Sequence, residues 1–137
     1  KPKTMQKGEI TYIDIIKEIS TFFTDQIAHG EIHGIKKEQF ILDPGIGFGK
    51  TVEQNIEIIK RLEEFQTFGL PLAIGISRKS HLGAILKKEI NLETKPTERL
   101  EASLAETAVA IQNGARIIRT HDILQTKKFI TVLEKLL

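Results

Sequence analysis

Cysteine is absent from the 137 residues, which excludes disulfides, zinc–thiolate sites and a thiol nucleophile. Its absence suits a reducing compartment, and a cytoplasmic setting is the expectation. Tryptophan is missing too, and aromatic residues make up 6% of the chain. They are not interleaved with basic residues, which argues against stacking on single-stranded nucleic acid. Basic and acidic side chains nearly balance, 20 against 18, for a net charge of +2. They are spread along the chain, so no dedicated nucleic-acid or membrane surface is implied and any positive site must be local. No apolar run approaches the roughly 20 residues of a membrane span.

What is present is enough for a core: 40% of residues are hydrophobic and 28% charged, which fits one globular domain over residues 1–137. The first residue is Lys1 rather than Met, and Lys1-Pro2-Lys3-Thr4 reads as the interior of a longer chain. The expectation is a fragment.

The stretch Phe40-Ile41-Leu42-Asp43-Pro44-Gly45-Ile46-Gly47-Phe48-Gly49-Lys50-Thr51 organises the rest. Its apolar triplet is too short for a helix and stops at Asp43-Pro44, so it predicts a strand with Asp43 at its C-terminal end. Glycines at 45, 47 and 49 free the backbone and leave room for a ligand to approach the main chain. Phe48 is an apolar plate in an otherwise bare loop. Thr51 with Gln54 matches a capping box, and Val52, Ile56, Ile59 and Leu62 give the following helix a buried stripe. A plain strand-to-helix turn remains an alternative. Two phosphate loops are excluded by spacing: a Walker A loop needs Gly where Pro44 stands, and the dinucleotide fingerprint needs Gly where Lys50 stands.

Elsewhere, Ile10, Ile13, Ile16, Ile19, Phe23 and Ile27 recur at helical spacing, predicting a helix that ends near His29-Gly30. A charged linker spans residues 31–39. After the helix of residues 52–66, Leu72–Ile76 predicts a second strand running into Ser77-Arg78-Lys79-Ser80. A short helix over 81–86, a polar connection with Pro96, and a helix carrying Leu100, Leu104, Ala108 and Ile111 follow. Residues 115–118 predict a third strand that delivers Arg119-Thr120-His121-Asp122, and Asp122 with Gln125 repeats the capping-box spacing before a last helix. One helix followed by three strand–loop–helix units implies an α/β fold with parallel strands and right-handed crossovers. Three such units cannot close a barrel of eight; as part of a barrel, they form its C-terminal portion.

Each polar cluster falls where a strand ends, the face on which such folds carry ligands. Asp43 can accept two N–H bonds from a guanidine-like or aminopyrimidine edge, unless it is only a turn carboxylate. Ser77 and Lys79 share a face of an extended chain and Arg78 points away; the cluster suits an anion or polar ligand, unless it is a solvated basic turn. Arg119 and His121 also share a face, with a fork for phosphate oxygens and a proton donor. No activated nucleophile is evident. His29, His33 and His81 are read as ordinary surface or packing residues.

These residues carry a resemblance. Asp43-Pro-Gly-Ile-Gly-Phe-Gly-Lys50, Gly75-Ile-Ser-Arg-Lys-Ser80 and Arg119-Thr-His-Asp122, in this order and spacing, look like the C-terminal motifs of the dihydropteroate synthases. Pro2-Lys3-Thr4-Met5-Gln6 and the segment from Glu98-Arg99-Leu100 to Thr107 are similar as well. The resemblance implies a (β/α)8 barrel that joins 4-aminobenzoate to 6-hydroxymethyl-7,8-dihydropterin diphosphate and releases pyrophosphate in folate synthesis. It implies that Asp43 and Lys79 hold the pterin, that Phe48, Ser77 and Arg78 border the aminobenzoate, and that Arg119 and His121 bind the diphosphate. It also implies a homodimer and Mg2+, the ion's ligand being an Asn in an N-terminal part with no counterpart here. The family's mobile loops and its further pterin-binding Asp and Asn lack counterparts too, so the piece by itself is expected to have little or no activity. Thr120 stands where the family often has Val. A non-catalytic pterin-binding domain, of a degenerate synthase or of a folate-linked methyltransferase, is the alternative.

Overall fold

The computed structural model describes residues 14–137; the predicted helical positions Ile10 and Ile13 and the segment of residues 2–6 lie outside them. Helix α1 spans Ile15–Ile32, and its start is set by Asp14, whose Oδ1 accepts the Ile16 and Lys17 amides at 3.0 and 3.3 Å. Ile15, Ile16, Ile19, Phe23 and Ile27 form its buried stripe, as the spacing predicts. The helix does not end at Gly30. That glycine lets the Phe40 ring approach, since a Cβ there would stand 2.4 Å from Phe40 Cζ, and α1 runs one half-turn further.

The predicted strand over residues 40–42 shrinks to a single parallel bridge, Leu42 to Leu72. The Leu42 amide donates to the Pro71 carbonyl at 2.9 Å and the Ala73 amide donates to the Leu42 carbonyl at 2.8 Å. Next to it, β1 (Leu72–Ile74) pairs in parallel with β2 (Ala115–Ile118) through an irregular register, Leu72 opposite Ala115 but Ile74 opposite Ile118. The three strand positions therefore lie side by side in chain order, each crossover made by helix.

Helix α2 (Val52–Lys60) begins with the predicted capping box, Thr51 Oγ1 accepting the Gln54 amide and Gln54 Oε1 accepting the Thr51 amide. It is shorter than its periodicity suggests. At Arg61 the chain passes into a 3-10 turn, Leu62–Phe68, stopped by Gly69 in the left-handed region. Leu62 and Phe65 are still completely buried: a tighter turn carries the apolar stripe onward. Helix α3 (Ser80–Ile90) is longer than expected and closes on Asn91 at φ 53°. Helix α4 (Leu100–Gln112) and helix α5 (Ile123–Leu136) complete the chain.

The core lies between α1, the strands and α2. Phe23 meets Phe65 and Phe68 edge-on, with ring centroids 5.4 and 5.7 Å apart. Ile58, Ile74 and Ile76 fill the space beneath the strand ends, each burial contributing about 1.5–3 kcal/mol. This packing makes the strand ends rigid, and the three polar loops rise from them on one side.

Candidate active site

The first loop is folded by its own backbone requirements. Gly45, Gly47 and Gly49 adopt φ of 71°, 81° and 62°, the left-handed region closed to most side chains. Three groups then hold the turn. The Gly45 amide donates to Asp43 Oδ1 at 2.8 Å. Lys50 Nζ donates to the carbonyls of Gly45 and Phe48 at 2.9 and 3.1 Å. Asn55 Oδ1 accepts the Gly47 amide at 2.7 Å. Lys50 is thus a strut of the loop, and its pKa is lowered by burial and by the charge of Lys79, with Asp43 opposing.

Gly47 also makes room for the second loop, because a Cβ there would lie 2.9 Å from Lys79 Cδ. Lys79 passes over it and sets its ammonium 4.0 Å from the Phe48 ring centre. Burial and the neighbouring Arg119 hold the Lys79 pKa below that of an ordinary lysine, again with Asp43 opposing.

From the third loop Arg119 lies across Gly75, where a Cβ would meet its Nη2 at 2.6 Å. Its Nη2 donates to Asp43 Oδ2 at 3.2 Å. The bond is single and the Arg119 side chain is 67% exposed, so a ligand can exchange it at small cost. Ser77 Oγ accepts the His121 amide at 3.2 Å and lies 3.0 Å from His121 Nδ1.

Phe48, Gly75, Ser77, Lys79, Arg119, Thr120 and His121 together line a cleft of about 220 Å³. Asp43 does not line it. It lines an adjoining hollow of about 370 Å³ with Pro44, Gly45, Lys50 and the Phe22–Phe23 side of α1, and the Arg119 contact joins the two. A carboxylate, two cations, a histidine, a hydroxyl and an aromatic plate are thus in one place, suited to a ligand with a nitrogenous edge and an anionic group.

Two expectations need correction. Arg78 does not enter the cleft: at φ 62° its side chain turns to Asp122, with Nε to Oδ2 at 3.1 Å and Nη2 to Oδ1 at 2.6 Å. Asp122, taken up in this way, forms no capping box with Gln125 and makes no side-chain bond to α5. His81 is a packing residue, as expected, and its partner is Glu106. It is buried, with Nε2 3.0 and 2.8 Å from the two Glu106 oxygens. His29 and His33 are exposed and lie against each other at a tilt of 48°, ring centres 4.5 Å apart.

Asn55 is the residue that sequence reasoning misses. It is 1% exposed, and its spacing to Ile59 and Leu62 places it on the buried stripe of α2, a signal that a polar residue there has a fixed partner. Arg99 and Ser103 are likewise missed: they hold the Arg78 backbone from α4. Among the described residues, no group of three or more His, Asp or Glu side chains could hold a metal ion.

Residues 1–121 match the family model described as pterin binding enzyme. The chain belongs to the pterin-binding enzyme family. Within that family it is 44% identical over 133 residues to the dihydropteroate synthase of Escherichia coli K12, spanning 97% of this chain and 45% of that protein. With the Synechocystis dihydropteroate synthase it shares 43% identity, over 89% of this chain and 40% of that one. The chain spans a little under half the length of such relatives. Among solved structures, Yersinia pestis dihydropteroate synthase in complex with a sulfonamide drug superposes with a TM-score of 0.89 at 36% identity, covering 99% of this chain and 47% of that one. The Xanthomonas albilineans dihydropteroate synthase in complex with 7,8-dihydropteroate gives 0.85 at 31% identity, covering 93% and 48%. These family members fix the fold: three βα units and a leading helix are a portion of a (β/α)8 barrel.

Proposed function

We propose that the protein carrying this chain is a dihydropteroate synthase: it condenses 4-aminobenzoate with 6-hydroxymethyl-7,8-dihydropterin diphosphate and releases pyrophosphate in folate biosynthesis. The observation that carries the reading is the single site made by the three strand ends, with Arg119 bonded to Asp43 and bordering the cleft of Lys79 and His121. Asp43 accepts N–H bonds from the aminopyrimidine edge of the pterin, one of its oxygens already aimed by the Gly45 amide. Lys79 donates to a ring acceptor. Arg119 and His121 bind the diphosphate, and Phe48 and Ser77 border the aminobenzoate. Arg78, outside the cleft, is given no substrate contact.

The C–O bond between the pterin methylene and the diphosphate breaks first, and its electron pair leaves on the diphosphate. Arg119 and His121 stabilise the charge that develops there. The aminobenzoate nitrogen then forms the C–N bond and loses a proton. No protein nucleophile is needed.

The relatives described above are synthases, which favours this reading over a non-catalytic pterin-binding domain. The reading brings with it Mg2+, a homodimer and a cytoplasmic setting. The described residues offer no ligand set for the ion, so no step is assigned to it. The test is pyrophosphate release by the full-length protein from the two substrates, with pterin affinity measured by calorimetry. Asp43→Ala abolishes pterin binding; unchanged affinity in that variant removes Asp43 from its assigned role.

A further inference from the structure

Arg78 and Asp122 sit in different loops, one after β1 and one after β2, and meet as a two-pronged pair with N–O distances of 2.6 and 3.1 Å. The Asp122 side chain is only 15% exposed and makes no bond to its own helix. Arg78 is brought to it by its left-handed φ of 62°, a conformation that strains a non-glycine residue. Its backbone is held on both sides to keep that shape. The Arg78 amide donates to Ser103 Oγ at 3.0 Å, and Arg99 Nη1 donates to the Arg78 carbonyl at 3.1 Å. Arg99 is fixed in turn by the Thr94 carbonyl and hydroxyl at 2.8 and 3.1 Å.

We infer that Arg78 and Asp122 are positioning residues, which set the separation between the loop of Ser77 and Lys79 and the loop of Arg119 and His121. This rests on the reading above, in which Lys79 holds the pterin ring and Arg119 with His121 the diphosphate, two halves of one molecule. Arg78 flanks both members of the first loop and Asp122 follows directly on His121. The Ser77 hydroxyl ties the same loops, 3.2 Å from the His121 amide and 3.0 Å from His121 Nδ1, but both contacts converge on one rotatable oxygen. The fork fixes direction as well as distance. A misplacement of about 1 Å between two halves of a reacting site can cost on the order of a hundredfold in rate, which is what the pair guards against.

The test uses the full-length protein and three ligands: the pterin alone, inorganic pyrophosphate, and the intact pterin diphosphate. Arg78→Lys, which keeps the charge but loses the fork, and Asp122→Asn each leave affinity for pterin and for pyrophosphate within about twofold and weaken the intact molecule about tenfold or more. In turnover, kcat falls, KM for pterin diphosphate rises and KM for 4-aminobenzoate is unchanged. The double variant is no worse than the weaker single one, because both remove one interaction. Asp122→Glu, which keeps the carboxylate, gives the same split with a smaller loss and serves where either other variant does not fold. The inference is overturned if Arg78→Lys raises KM for 4-aminobenzoate while Asp122→Asn is silent, or if the two losses add. Wild-type protein that binds all three ligands without releasing pyrophosphate defeats the synthase reading instead, and the affinities still decide the inference.

Discussion

Asn55, buried in the first turn of α2, accepts the Gly47 amide on its side-chain oxygen at 2.7 Å and donates its own amide to the Thr51 carbonyl at 2.7 Å. One side chain thus fastens the glycine loop to the helix that follows. Asn55→Ala leaves the Gly47 amide without its partner, which costs about 1–3 kcal/mol. Denaturant unfolding of the full-length protein measures that loss, and affinity for 4-aminobenzoate falls with it as Phe48 loses its support.

Gly75 and Gly47 separate strain from crowding. At Gly75 the backbone is ordinary and the atoms nearest an added Cβ belong to the flexible Arg119 guanidinium, the first at 2.6 Å. Gly75→Ala therefore leaves stability nearly unchanged and weakens pyrophosphate binding, because Arg119 must move. Gly47→Ala combines φ of 81° with a Lys79 contact at 2.9 Å. It costs roughly 1–2 kcal/mol in backbone conformation and also lowers pterin affinity, both readable by paired unfolding and calorimetry.

The buried pair of His81 and Glu106 predicts a sign reversal between single and double substitutions. His81 Nδ1 has no hydrogen-bond partner while Nε2 faces both Glu106 oxygens. His81→Leu alone leaves the largely buried Glu106 carboxylate without its partner and destabilises, whereas His81→Leu with Glu106→Leu is neutral or stabilising. Thermal melts of the three proteins show whether the double variant recovers.

Lys79 predicts an alkaline limit to pterin binding. Burial and Arg119 depress its folded-state pKa, so it loses its proton at a lower pH than an unfolded lysine does. Pterin affinity resting on the ammonium is intact below that depressed value and falls as pH rises through it. Lys79→Arg, charged throughout, binds with a flat profile over the same range. An equal decline in both proteins would assign the limit to another group.

The side chains of the candidate site are legible in the sequence because strands and loops have different chemistry. Short apolar runs ended by Asp43, Ser77 and Arg119 mark where buried strands reach solvent, and polar residues two apart share a face of extended chain. The glycines at 45, 47 and 49 are equally legible, since nothing else adopts their φ values easily. Element lengths are less so. The stripe of α2 continues through Leu62 and Phe65 whether the turn is α or 3-10, and the first strand keeps its apolar residues although only Leu42 pairs.

Element order, the parallel arrangement and the residues at the strand ends follow from local sequence, because periodicity and turn chemistry are local. The partners those residues take follow from the tertiary packing. Arg78 turns to Asp122 because Ser103 and Arg99, 25 and 21 residues away, hold its backbone. Asp122 leaves its helix for the same reason, the buried Asn55 takes the Gly47 amide and the Thr51 carbonyl, and the buried His81 takes Glu106, partners that spacing along the chain does not name. Such pairings depend on how crossovers place distant segments side by side, and that information is carried by packing, not by any one stretch of chain.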